Sequence, residues 1–118
     1  MTIRDLDKYV ARLWDWGFLD QCFGATGIRV SDLDGIVERN GRFLVIEAKG
    51  TGQAVPVGQA RLFRAFVNTG LFTVLVLWGE TNKPARMSAF PGPATACTTA
   101  DILDFVTVWF QYADEARP

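Results

Sequence analysis

Histidine is absent from this 118-residue chain. Without an imidazole, Ser-His-Asp and Cys-His catalysis, His-containing zinc sites and histidine-based nuclease motifs are excluded as they are normally built. Acid–base chemistry then rests on carboxylates, lysine, tyrosine or a bound metal ion. Cysteine is nearly absent too, with only Cys22 and Cys97. In a chain with an ample core, such a pair reads as two buried thiols rather than a disulfide.

No long hydrophobic run occurs. The longest, residues 71–78, is interrupted by Thr73 and falls well short of the roughly 20 apolar residues that span a bilayer. The charged N-terminus (Arg4, Asp5, Asp7, Lys8) has no apolar stretch behind it, which argues against a secretion signal. A cytoplasmic location without a membrane partner is the expectation. Repeats and low-complexity tracts are missing as well, so the length and a 49% apolar composition predict one globular domain over 1–118.

Charge of one sign is not in excess either: the net charge is −1, and the chain as a whole carries no nucleic-acid signature. Its distribution differs from its sum. Between Arg29 and Arg86 eight basic residues stand against five acidic ones, and the acidic excess lies in the two ends.

Residues 31–50, SDLDGIVERNGRFLVIEAKG, place charges inside two runs that otherwise read as strands. Asn40-Gly41 between them predicts a two-residue hairpin turn, because both central positions of a type I′ turn need positive φ. Arg39 then faces Arg42, Glu38 faces Phe43, Ile36 faces Val45, Asp34 faces Glu47 and Asp32 faces Lys49. Strand alternation puts Asp32, Asp34, Glu47 and Lys49 on one side. Opposed carboxylates destabilise a sheet unless a cation lies between them. A cross-strand ion network on a solvated face is the alternative, but Ile36, Phe43 and Val45 share that face.

Around the hairpin, residues 2–16 read as an amphipathic helix, with Thr2 as N-cap, Asp5 as capping-box acid and Ile3, Leu6, Val10, Leu13 and Gly17 on its apolar face. Residues 18–27 read as a turn-rich connection and 50–55 as a flexible one. A second helix starts at Pro56 and runs to about Asn68, burying Leu62, Phe63, Phe66 and Val67. Residues 71–79 form a central strand covered on both faces. A short edge strand follows at 85–90. The final helix starts near Thr98 or Thr99 and runs to about Ala113, burying Ile102, Phe105, Val106, Trp109 and Phe110. The fold class is α/β, a mixed sheet flanked by helices in the order α-β-β-α-β-β-α.

An acid, a hairpin and Glu-x-Lys ending the next strand resemble the PD-(D/E)XK nuclease superfamily with its restriction-endonuclease-like core. The likeness covers residues 3–79, with Leu33 where the motif has proline. It implies Asp34 and Glu47 as metal-binding acids, with the Ala48 carbonyl as a third oxygen. Lys49 would orient or deprotonate the attacking water. Gln59, in GQARLF, corresponds to a glutamine that several branches place on the second helix. Asp20 is the candidate first-helix acid, and Asp32 is the rival of Asp34. The implied cofactor is Mg²⁺, with Mn²⁺ as a substitute.

The implied activity is metal-dependent hydrolysis of DNA phosphodiesters, directed by structure, including branched or single-stranded DNA, more than by sequence. Repair, recombination or phage DNA processing would be its setting. Arg39, Arg42, Arg61 and Arg64 are candidate phosphate contacts. The four tryptophans are expected mainly in the core. The last helix, with Trp109, Phe110 and Tyr112, is a candidate homodimer face. The competing expectation is a nuclease-like fold without catalysis, serving as a nucleic-acid-binding or protein-interaction module.

Overall fold

In a computed structural model that describes residues 14–117, Asn40 and Gly41 both take positive φ, 52° and 75°. Arg39 pairs with Arg42 across the turn, as the two-residue loop requires. Strand β1 (Gly35–Arg39) and strand β2 (Arg42–Lys49) form the expected antiparallel hairpin, with Ile36 opposite Val45 and Glu38 opposite Phe43. The ladder stops at Gly35, opposite Ile46. Asp34 therefore lies outside it, and β1 is confined to five residues.

Contacts divide the chain into two compact units, Met1–Asp32 and Leu33–Pro118. In the first, residues 2–13 of the helix expected over 2–16 lie outside the described residues. Trp14 and Asp15 are not helical, and a 3-10 helix, Trp16–Phe23, replaces much of the expected turn-rich connection. Asp15 caps it by accepting from the Gly17 amide at 2.8 Å, as short acidic side chains do at helix starts. Trp14 and Trp16 stack at 5.5 Å, and both are exposed rather than core residues. Cys22 is exposed too, contrary to the buried thiol expected there.

In the second unit, α1 (Val57–Asn68) connects β2 to β3 (Phe72–Glu80), which lies parallel to β2. A helical crossover is how parallel neighbours are joined. Then β4 (Lys83–Ala89) and β5 (Thr95–Ala96) add antiparallel strands, giving a mixed sheet in the order β1-β2-β3-β4-β5. β4 is thus not the edge strand expected, because the two residues of β5 pair with it.

Period-two alternation sends each strand's apolar residues both ways. Leu44 and Leu75 pack with Trp109 and Ala113 of α2 (Thr99–Glu115), while Val45, Val74 and Val76 pack with Phe63 of α1. A helix lies on each face, and the α/β class read from the sequence is observed at that level.

Helix α2 begins with a reciprocal cap: the Asp101 amide donates to Thr98 Oγ1 at 3.3 Å, and the Thr98 amide donates to Asp101 at 2.8 Å. Its buried stripe differs by one residue from the expected one. Phe110 is 47% exposed while Ala113 is fully buried, because residue 110 sits one position past Trp109 and rotates off the stripe. At its C-terminal end, Asn40 Nδ2 donates to the carbonyls of Ala113 and Asp114, both at 3.2 Å. The hairpin turn thereby satisfies carbonyls that the helix leaves unpaired.

Candidate functional site

Glu47 ends the apolar run of β2 on the α1 side of the sheet, next to Val76 of β3. Strand alternation puts it on the same face as Val45, so folding carries its carboxylate into the interior with only 5% of the residue exposed. Burying a carboxylate is costly unless its lone pairs are matched. One oxygen is matched: Glu47 Oε1 accepts from Gln59 Nε2 at 2.7 Å and lies 3.5 Å from Lys49 Nζ. The other, Glu47 Oε2, is buried with no hydrogen-bond partner among the described residues, and so is Gln59 Oε1.

Each neighbour arrives from a different element. Lys49, two residues on, returns to the same face, and its side chain is only 15% exposed. That burial distinguishes the pair from a surface ion pair worth little. Gln59 is delivered by the first turn of α1, whose N-cap Pro56 supplies no side-chain cap.

Asp34 does not face Glu47 in the ladder as expected. Its Oδ2 accepts from the Ala48 backbone amide at 2.9 Å, so its carboxylate meets the strand at the residue next to Glu47. Asp34, Glu47, Ala48, Lys49 and Gln59 are thus linked by contacts within one unit.

The remaining acidic candidates belong to the N-terminal unit. Asp20 belongs to the N-terminal unit, 3.9 Å from Arg29 in an ion pair. Asp32 accepts from Trp16 Nε1 at 3.2 Å. Among the described residues, no group of three or more His, Cys, Asp or Glu is gathered for a metal ion.

Arg61 and Arg64 are exposed on α1, the helix that carries Gln59. Arg39 and Arg42 stand at the other end of the hairpin, roughly 15–25 Å along β2 from Glu47 and Lys49. There Arg39 holds Asp114 through Nε and Nη2 at 2.9 and 2.7 Å, and Arg42 Nε donates to the Tyr112 hydroxyl at 3.3 Å.

Two further residues shape the site. Gln53 lies in the connection expected to be flexible, yet its Oε1 accepts from the Gly50 amide at 2.8 Å and its carbonyl accepts from Trp78 Nε1 at 2.6 Å. Trp78 is the register partner of Lys49 across β2 and β3. An indole N–H in a partly buried position needs an acceptor, and that was the signal available for Trp78. Nothing local marks Gln53, whose bond to Trp78 uses a backbone carbonyl.

Comparison with family models, with curated proteins and with solved structures gives no match to this chain.

The donor set suits a hard divalent cation. Such ions take carboxylate and carbonyl oxygens and keep several waters, so few protein ligands suffice. The unpartnered Glu47 Oε2 is the atom that such an ion would satisfy.

Proposed function

We propose that the protein is a metal-dependent nuclease of the PD-(D/E)XK type that hydrolyses DNA phosphodiester bonds. The observation that carries this reading is the buried Glu47 carboxylate, with one oxygen held by Gln59 and Lys49 and the other unpartnered. An interior carboxylate left half-satisfied is a local cost that a purely structural role does not repay.

In this reading Glu47, Asp34 and the Ala48 carbonyl hold Mg²⁺ or Mn²⁺. The ion when bound neutralises charge on the phosphate and lowers the barrier to attack by water. Lys49 aligns the attacking water and donates to a phosphate oxygen as negative charge grows there. Gln59 fixes the Glu47 carboxylate so that its second oxygen stays turned toward the ligand. Arg61 and Arg64 hold the DNA backbone, a contact that positions the strand without reading sequence.

A second reading, a nuclease-like fold that binds nucleic acid or protein without cutting, is favoured by one observation. Among the described residues, no group of three or more His, Cys, Asp or Glu is gathered that could hold a metal ion. Incubation with supercoiled, single-stranded and branched DNA in Mg²⁺, Mn²⁺ or EDTA separates the two. Cutting that needs metal and disappears in both Glu47→Ala and Lys49→Ala supports the nuclease. Cutting that persists in both variants removes the site, and no cutting of any substrate favours the binding module.

A further inference from the structure

A cleft of about 500 Å³ opens where β2 and β3 end, between their last residues and the turn leading into β4. Its size falls within the roughly 300–1,000 Å³ of small-molecule sites. Apolar Ile46 and Leu77, aromatic Trp78 and polar Lys49, Asn82 and Lys83 all line it, with Ile46 and Leu77 on the α2 side of the sheet and Trp78 on the α1 side. One acid, Glu80, lines it against the two lysines. Crevices beyond the carboxyl ends of parallel strands are favoured ligand positions in α/β sheets.

The lining combines two chemistries. Apolar and aromatic surface suits the body of a base, and Lys83, with Lys49 already paired to Glu47, offers a cation to a phosphate. Lys49 belongs both to this cleft and to the ion pair with Glu47, so this one side chain joins the cleft at the strand ends to the proposed reaction centre on the α1 face. A base inside a duplex is covered on both faces by its stacked neighbours and cannot enter a cleft of this size. An unpaired one can.

We infer that the cleft takes one unpaired nucleotide of a DNA strand, next to the phosphate that is cut, and that the substrate class is single-stranded DNA. This rests on the nuclease reading for its chemistry, but the binding it requires does not. Trp78 is fixed before the strand arrives, because its N–H is already bonded to the Gln53 carbonyl. Such preorganisation lowers the ordering cost of binding.

The test measures binding of the full chain in EDTA, by fluorescence anisotropy of a labelled oligo-dT strand and of a blunt duplex of equal length. Wild type should bind the single strand more tightly. Lys83→Ala should weaken that binding by about tenfold, as loss of one charge-assisted contact would. Thr81→Trp, a bulky side chain at the cleft's edge, should weaken it as well, and duplex binding should not change in either variant. Circular dichroism confirms that both variants fold.

Equal losses on strand and duplex would overturn the inference, as would unchanged strand binding in both variants. Tighter binding of free thymidine 5′-monophosphate than of the strand would overturn it too. If metal-dependent cutting occurs while both variants bind the strand normally, the cleft assignment fails and the nuclease reading stands. If no substrate is cut but binding follows the expected pattern, the reverse holds.

Discussion

Gln59 Nε2 lies 2.7 Å from Glu47 Oε1, and this one bond ties the end of β2 to the first turn of α1. Replacing Gln59 with alanine leaves the buried carboxylate with Lys49 as its sole polar neighbour among the described contacts. Gln59→Ala should therefore lower unfolding free energy by about 1–3 kcal/mol, read from the urea midpoint. An exposed alanine replacement on the same helix, Arg61→Ala, should cost less than about 0.5 kcal/mol.

If a divalent cation satisfies Glu47 Oε2, binding and stability are linked. Mg²⁺ or Mn²⁺ at 100 times its dissociation constant should stabilise the fold by about 2.7 kcal/mol, seen as a rise in Tm. Glu47→Gln should abolish that rise, and EDTA should reverse it in wild type. A rise that persists in Glu47→Gln would assign the ion to another place.

The four arginines should separate into two pairs. Arg61 and Arg64 are exposed on the helix of Gln59, whereas Arg39 and Arg42 are engaged with Asp114 and Tyr112 at the far end of the hairpin. Arg61→Ala and Arg64→Ala should each weaken DNA binding and lower the slope of log affinity against log salt by about one. Arg39→Ala and Arg42→Ala should leave that slope unchanged.

Gly79 sits at a bulge between β3 and β4 with φ of 153°. A Cβ there would collide with the Lys83 carbonyl oxygen, a backbone atom that cannot swing aside. Gly79→Ala should cost at least about 1–3 kcal/mol, measured by thermal unfolding, and should distort the cleft beside it.

The two thiols should react differently. Burial first and the Asp101 charge second push the Cys97 thiol above its ordinary pKa, so less of it is thiolate at a given pH. Because the thiolate is the nucleophile, alkylation of Cys97 should lag behind that of exposed Cys22 near neutral pH. The gap should narrow as pH rises. Mass spectrometry of peptides alkylated over a pH series checks this.

What the sequence made legible was mostly local. Asn40-Gly41 fixed a register that holds for five residue pairs, and the β-branched run at 72–80 is central in the sheet. Failures arose where a distant partner decided the outcome. Asp34 lies outside the ladder, with its carboxylate accepting from the Ala48 amide. The connection at 50–55 is ordered by a bond from Trp78, 25 residues from Gln53. Burial at 113 rather than 110 depends on helix phase against the sheet, which periodicity alone places only to within a residue. Residue types and spacing singled out Glu47, Lys49 and Gln59, whose side chains are in contact, while the unpartnered oxygen became visible only with three-dimensional packing.

The clasp between Asn40 and the last turn of α2 joins positions more than 70 residues apart. Neither end of that clasp can fray alone: if the helix's last turn opens, the hairpin's turn loses its donors' partners, and Arg39 loses Asp114. The two should exchange their amide hydrogens as a single cooperative unit. The proposed reaction centre hangs from the opposite end of the same two strands, so the last turn of the last helix is a handle on its stiffness.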